Sequence, residues 1–148
     1  MHLSKTEIDA LQGEEKQHFL NPNAKRAQKS LGDIAGITGF GFHIVEVEPG
    51  NETTEFHFHH FEDECIFILN GTATAYIGDE TYDVSEGDFL GHPKKGAAHK
   101  MKNTGTGVLR CIVVGERKDS DVVDYPHLNK ALFRNSGTES QLTDIAEE

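Results

Sequence analysis

Between residues 39 and 115 the chain reads as a succession of short β-forming runs cut at close intervals by turn residues, and few architectures accept that pattern. The runs span 40–47, 53–60, 65–70, 72–77, 81–84, 89–91, 98–103 and 108–114. Between several of them stand Pro49-Gly50, Asn70-Gly71, Gly78-Asp79, Glu86-Gly87 and Gly105-Thr106-Gly107, residues that preset or free the backbone for tight reversals. Connections this short make neighbouring strands antiparallel, because a parallel crossover needs a dozen or more residues. The expected fold class is therefore all-β, a sandwich or barrel. A chain of 148 residues is long enough to close one such core without disulfide staples.

The flanks have a different character. Residues 1–35 are predicted to form a mostly irregular N-terminal arm, with a weak helical segment marked by Ile8, Leu11 and Phe19 and a turn at Asn21-Pro22-Asn23. The barrel is expected to occupy residues 36–116. Residues 117–148 form a C-terminal extension in which Asp119, Asp121 and Asp124 precede Tyr125-Pro126, a short helix is predicted over 128–133, and the polar tail over 135–148 is expected to be mobile.

Lys and Arg total 14 against 25 Asp and Glu, a formal net charge of −11 that argues against nucleic acid and anionic membrane surfaces as partners. The longest apolar runs, 66–69 and 111–114, are far too short to cross a bilayer, and the N-terminal residues carry no apolar signal core. A cytoplasmic location is expected. The two cysteines, Cys65 and Cys111, lie inside apolar runs and are read as free buried thiols.

Chemistry concentrates between residues 50 and 64, where His57, His59, His60 and several carboxylates fall within one hairpin's length. Side chains alternate along a strand, so His57 and His59 share a face one pleat apart, close enough to converge on a single ion, while His60 points away. A turn through residues 61–63 brings the Glu64 carboxylate back beside the two imidazoles as an oxygen ligand. His99 follows 35 residues later on a distant strand, sharing a face with Met101 and Asn103.

These residues resemble the two motifs of the cupin superfamily. The first pairs Gly50, His57-Phe58-His59, Glu64 and Gly71, with six residues where five are usual between Gly50 and His57. The second comprises Gly87, Pro93, Gly96, His99 and Asn103, with one extra residue between Pro93 and Gly96. Both insertions fall in turns, where length changes cost little. The flanks at 20–26, 30–33 and 121–126 are also similar to those of a group of uncharacterised bacterial single-domain cupins. The resemblance implies a double-stranded β-helix, or jelly-roll barrel, of the RmlC-like kind, with one divalent metal ion inside one end on His57, His59, Glu64 and His99.

Three imidazoles and a carboxylate suit iron, manganese, nickel, cobalt or zinc, and leave coordination positions for water or substrate. That arrangement fits a metal-dependent dioxygenase, isomerase or lyase acting on a small oxygen-rich molecule; the alternative is a non-catalytic barrel that binds or senses a small sugar or organic acid. His43 and His92 are the candidate catalytic acid or base residues. His60, Glu62 and Asp63 are expected in solvent. Lys94, Lys95, Lys100 and Lys102 form a basic cluster that would draw an anionic ligand, against the simpler reading of a solvated loop and outward face. The run from Cys65 to Leu69 is apolar on both faces, so its outer face is expected to be covered by the arm or by a second subunit in a homodimer.

Overall fold

The computed structural model describes residues 1–146. In chain order its elements are α1 (Lys5–Ala10), β1 (Glu14–His18), β2 (Asn21–Ser30), α2 (Leu31–Ile34), β3 (Phe40–Val47), β4 (Phe58–His59), β5 (Glu64–Asn70), β6 (Thr72–Ile77), β7 (Glu80–Ser85), β8 (Phe89–His92), β9 (His99–Lys102), β10 (Leu109–Glu116), β11 (Ser120–Tyr125), a 3-10 turn (Pro126–Leu128), β12 (Lys130–Asn135) and β13 (Gln141–Asp144). Three antiparallel sheets result, ordered β1-β2-β3-β10-β5-β8, β13-β12-β11-β4 and β7-β6-β9. The insertion of β10 between β3 and β5 is the long-range crossing of a jelly roll, and the all-β expectation holds.

The core lies inside the barrel, where alternate residues of β3, β5, β6, β9 and β10 meet. Val45, Val47, Ile66, Ile68, Ala75, Met101, Leu109 and Cys111 form one buried cluster. Within the three-stranded sheet, the small Ala75 of β6 sits beside the long Met101 of β9. Cys65 and Cys111 are free thiols as expected, although only Cys111 is fully buried.

The N-terminal arm is the main departure from the sequence reading. It is not irregular: after the short capped helix α1, β1 and β2 form a hairpin whose second strand pairs with the edge of β3, from Ala27↔Glu46 to Ser30↔His43. These residues lack the period-two apolar pattern of a half-buried strand. The free edge of β3 recruits them through backbone hydrogen bonds, which any residue but proline can make.

Further differences are local. The predicted strand over 53–60 contracts to Phe58–His59, with single bridges at Glu52↔Lys102 and His57↔His99. In place of a helix over 128–133 stands the 3-10 turn, after which Asn129 reverses the chain in a left-handed conformation (φ 50°) into β12. Part of the tail expected to be mobile forms β13, paired to β12; residues 147 and 148 of that stretch lie outside the described residues. On β5, Ile66 and Ile68 are buried, but Phe67 on the outer face is 42% exposed. The β1-β2 hairpin of the arm lies at the opposite edge of that sheet.

Asn103 locks the far end of the barrel. Its side-chain amide donates to the carbonyls of Val47 (2.8 Å) and Gly107 (2.9 Å), and its Oδ1 accepts from the Gly105 N–H (3.0 Å). At 1% exposure no water replaces these bonds. Each buried backbone group left unpaired costs about 1–3 kcal/mol. We expect Asn103→Ala to lower unfolding stability by roughly 2–4 kcal/mol, read from urea midpoints of metal-stripped protein; a change within about 0.5 kcal/mol would contradict this account.

Candidate metal centre

The segment from His57 to His59 is shared between two sheets. The N–H and C=O of His57 bond to His99 (3.2 and 2.9 Å), while Phe58 and His59 pair with Asp124 and Val123 of β11. Glu64 opens β5, flanked by His92 of β8 and Gly115 of β10. Three separate backbone ladders therefore converge where these side chains meet.

Each of the three histidines is tied at one ring nitrogen and presents the other to Glu64. His57 Nδ1 donates to the Glu55 carbonyl (2.8 Å), His59 Nδ1 to Asp121 Oδ2 (2.6 Å), and His99 Nδ1 faces the Ala97 carbonyl (3.3 Å). The opposite nitrogens lie 3.9, 3.5 and 3.7 Å from the Glu64 carboxylate, respectively. These distances exceed those of hydrogen bonds yet are short enough for one ion to bridge.

His57, Glu64 and His99 offer donor atoms all within 4.8 Å of one another, and His59 joins them through Glu64. His99 Nε2 is buried and has no hydrogen-bond partner among the described residues, an atom in want of a ligand. The donor set and the fixed Nδ1 partners fit a divalent transition metal. The structure thus brings together all four residues predicted as ligands.

A second acidic group, His59, Glu62 and Asp121, is of another kind. Asp121, 1% exposed, holds His59 and also accepts the Phe61 N–H (3.0 Å). Glu62 accepts from Arg134 and from the Lys118 N–H (2.8 Å), so its charge is met by a guanidinium. This is an ion-pair network that orients His59. Glu62 was expected in solvent and is buried (4% exposed), because the turn folds it under β11 and β12. Asp63 is exposed as expected and caps the Lys94 N–H (2.8 Å). His60, half-buried, lies 3.1 Å from Asp124 and takes no part in the cluster.

Burial opposes the charge on Glu64, but the surrounding imidazoles of His57, His59 and His99 outweigh it and hold the carboxyl well below its ordinary range. Burial likewise opposes protonation of His59, and Glu64 and Asp121 override it, raising the imidazole to about 9. His92 is buried flat against His99, rings parallel with centroids 3.4 Å apart. Burial and the neighbouring His99 lower it to about 4.

Behind the cluster opens a cavity of about 400 Å³. Its wall includes His59, Glu64, His92 and His99, together with His43 of β3 and Arg26 and Gln28 of β2. Both candidate catalytic histidines thus face the cavity. The cations in its wall are Arg26, Lys100, Arg117 and Arg134, not those of the Lys94-Lys95 loop, and Glu62, Asp63, Glu64 and Glu116 stand among them. The sequence reading missed Arg26, Gln28, Asp121 and Arg134. Only Asp121 had a signal: it alternates with Val123 and Tyr125, all three buried on one face of β11.

A cupin-domain family model matches residues 43–115. A candidate sugar phosphate isomerase from Acidithiobacillus ferrooxidans superposes with a TM-score of 0.95 at 45% identity, over 99% of this chain and 97% of that one. The chain belongs to the cupin superfamily. A cupin-superfamily sugar phosphate isomerase from Silicibacter pomeroyi shares the fold with this cupin at a TM-score of 0.84 and 22% identity, covering 97% and 92% of the two chains. Among curated proteins, the tetracenomycin polyketide synthase protein TcmJ of Streptomyces glaucescens is 26% identical over 87 residues, 59% of this cupin and 56% of that protein. This cupin therefore matches little more than half the length of that relative.

His59 makes the metal-free form pH-sensitive. A group whose pKa is raised on folding, here from 6.5 to about 9, stabilises fully below 6.5 and loses that effect as pH climbs through 9. His92 titrates below this window. We expect the stability of metal-stripped protein to fall by up to about 3 kcal/mol between pH 6.5 and 9, and Asp121→Asn to flatten the slope. Urea midpoints that do not change over this range would exclude the assigned His59 environment.

Proposed function

We propose that this cupin is a metal-dependent isomerase acting on a small, oxygen-rich, anionic substrate, with sugar phosphates the best-supported class. The observation that carries the reading is the set of three imidazoles, each tied at Nδ1 and aimed at one partly buried carboxylate in the wall of a cavity that Arg26 also lines. The likeness to the Acidithiobacillus protein at 45% identity favours isomerisation over the dioxygenase and lyase alternatives.

His57, His59, Glu64 and His99 would hold one ion of iron, manganese, nickel, cobalt or zinc. Such an ion, when bound, supplies Lewis-acid polarisation of a substrate oxygen. The protein's own contribution is to keep the four donors rigid, to exclude water behind Ile66, Leu90 and Met101, and to present positive charge to the anion. His43 faces the cavity as a polar group within reach of the substrate. His92, pressed against the ring of His99, serves to hold that ligand in place.

We also read the chain as a homodimer. Phe67 and Phe89, paired across β5 and β8 and 42% and 65% exposed, form an outward apolar pair beside the free edge of β8. Among the described residues no helix is long and apolar enough to cross a membrane.

Protein purified without added metal should carry about one equivalent of a transition metal by elemental analysis, lost in His57→Ala and His99→Ala. Loaded protein should interconvert an aldose phosphate and a ketose phosphate, followed by proton NMR across a panel of sugar phosphates. Wild-type protein that also refuses added iron, manganese, nickel and zinc would remove the basis of the proposal. Metal uptake with tight ligand binding but no turnover would establish the binding barrel instead.

A further inference from the structure

The cavity wall opposite Glu64 carries a directed chain of hydrogen bonds that belongs to none of the metal-binding positions. Arg26 Nε donates to Gln28 Oε1 (3.2 Å), Gln28 Nε2 donates to Ser30 Oγ (3.2 Å), and Ser30 Oγ lies 2.8 Å from His43 Nδ1. The first three residues alternate along one face of β2, and His43 stands on β3 directly beside Ser30.

The direction of the chain is set at its charged end. A guanidinium only donates, so the amide oxygen of Gln28 must face it and the amide nitrogen must face Ser30. Ser30 Oγ accepts that bond, and its own hydrogen has one described acceptor, His43 Nδ1. A nitrogen that accepts carries no proton. With Ser30 donating to Nδ1, the arrangement that uses its hydrogen within the chain, the single proton of neutral His43 resides on Nε2, the atom that lies over Gly41, where a Cβ would come within 2.6 Å of it. Only glycine leaves this nitrogen clear.

Arg26 itself is the exception among the cavity cations. Arg117 is paired with Asp33, Arg134 with Glu62, and Lys100 with Glu52. Arg26 has no carboxylate partner among the described residues. Its Nη1 is spent on the Thr53 carbonyl (2.6 Å), and its Nη2 makes no described hydrogen bond. A partly buried guanidinium with a free edge in a cavity is a site for an oxyanion.

We propose that Arg26 anchors the oxyanion of the substrate while His43, locked as the Nε2–H tautomer by Ser30 and Gln28, donates a hydrogen bond to a substrate oxygen in the same cavity. The inference rests on the substrate class proposed above and names the residues that would select it. A neutral imidazole is the form such a donor needs, since it polarises an oxygen without itself giving up a full proton. The groups facing His43 are consistent with it: burial, then Arg117, Arg26 and Lys16, disfavour the charged ring, against a single opposing carboxylate, Asp33.

Two measurements test the proposal. The His43 tautomer is read from long-range proton–nitrogen NMR correlations in metal-free and zinc-loaded protein. The proton should sit on Nε2 in the wild type, and Ser30→Ala should release it to a mixture; a proton on Nδ1 in the wild type overturns the relay. This readout does not need the metal, so it stands even if the ion-binding reading fails.

The anion site is probed with inorganic phosphate and with malonate, by calorimetry on zinc-loaded wild type and Arg26→Met. Affinity for one of them should fall at least tenfold in the variant at unchanged zinc content, with Arg26→Lys recovering part of it. Loss confined to phosphate identifies a phosphorylated substrate, and loss confined to malonate a carboxylate. Affinities that are equal in wild type and variant for both probes overturn the anchor.

Discussion

The partly buried carboxylate of Glu64 is the constraint around which the rest is arranged. An ionised group largely withdrawn from water costs several kcal/mol unless charges and donors meet it, and among the described residues no backbone amide hydrogen-bonds it. Three imidazoles fill that need, and they come from a segment shared by two sheets and from β9. The barrel must close with β4, β5 and β9 in one register, since a slip of one residue would turn a ligand outward and leave the carboxylate alone.

The requirement propagates outward. To aim one nitrogen inward, each histidine needs its other nitrogen held, and for His59 the holder is Asp121, itself fixed by the Phe61 N–H. Asp121 belongs to β11, whose neighbour β12 supplies Arg134 to neutralise Glu62. The C-terminal extension is therefore part of the centre's support, and the same holds on the opposite side, where β2 builds the wall that carries Arg26.

The four clustered positions, His57, His59, Glu64 and His99, were legible in the sequence because their chemistry is rare and their spacing compact. Even the extra residue between Pro93 and Gly96 leaves His99 beside the other three. Lys95 takes it up in a left-handed turn (φ 59°), its N–H bonding the His59 carbonyl (2.7 Å). What was not legible depends on pairing over distance. Asp121 reads as one of several acids in a polar stretch until it is set against His59, 62 residues away. Residues 14–30 carry no alternation, since their strand character comes from the waiting edge of β3. Glu62 looked like a turn residue in solvent for the same reason: its partners lie on strands far along the chain.

The matched family segment ends at residue 115 and begins at 43, so it contains His57, His59, Glu64 and His99 and yet omits Arg26, Gln28, Asp121 and Arg134. The cluster and its surroundings thus draw on different stretches of one chain. The central stretch is held by three backbone ladders that fix four side chains against one another, and it tolerates little change. The flanking stretches reach the cluster and its cavity through side chains, from Asp121 on one side and Arg26 on the other. Relatives that share these four residues can accordingly differ in the rest of the cavity wall, and the positions to compare when grouping them are 26, 28, 30 and 43.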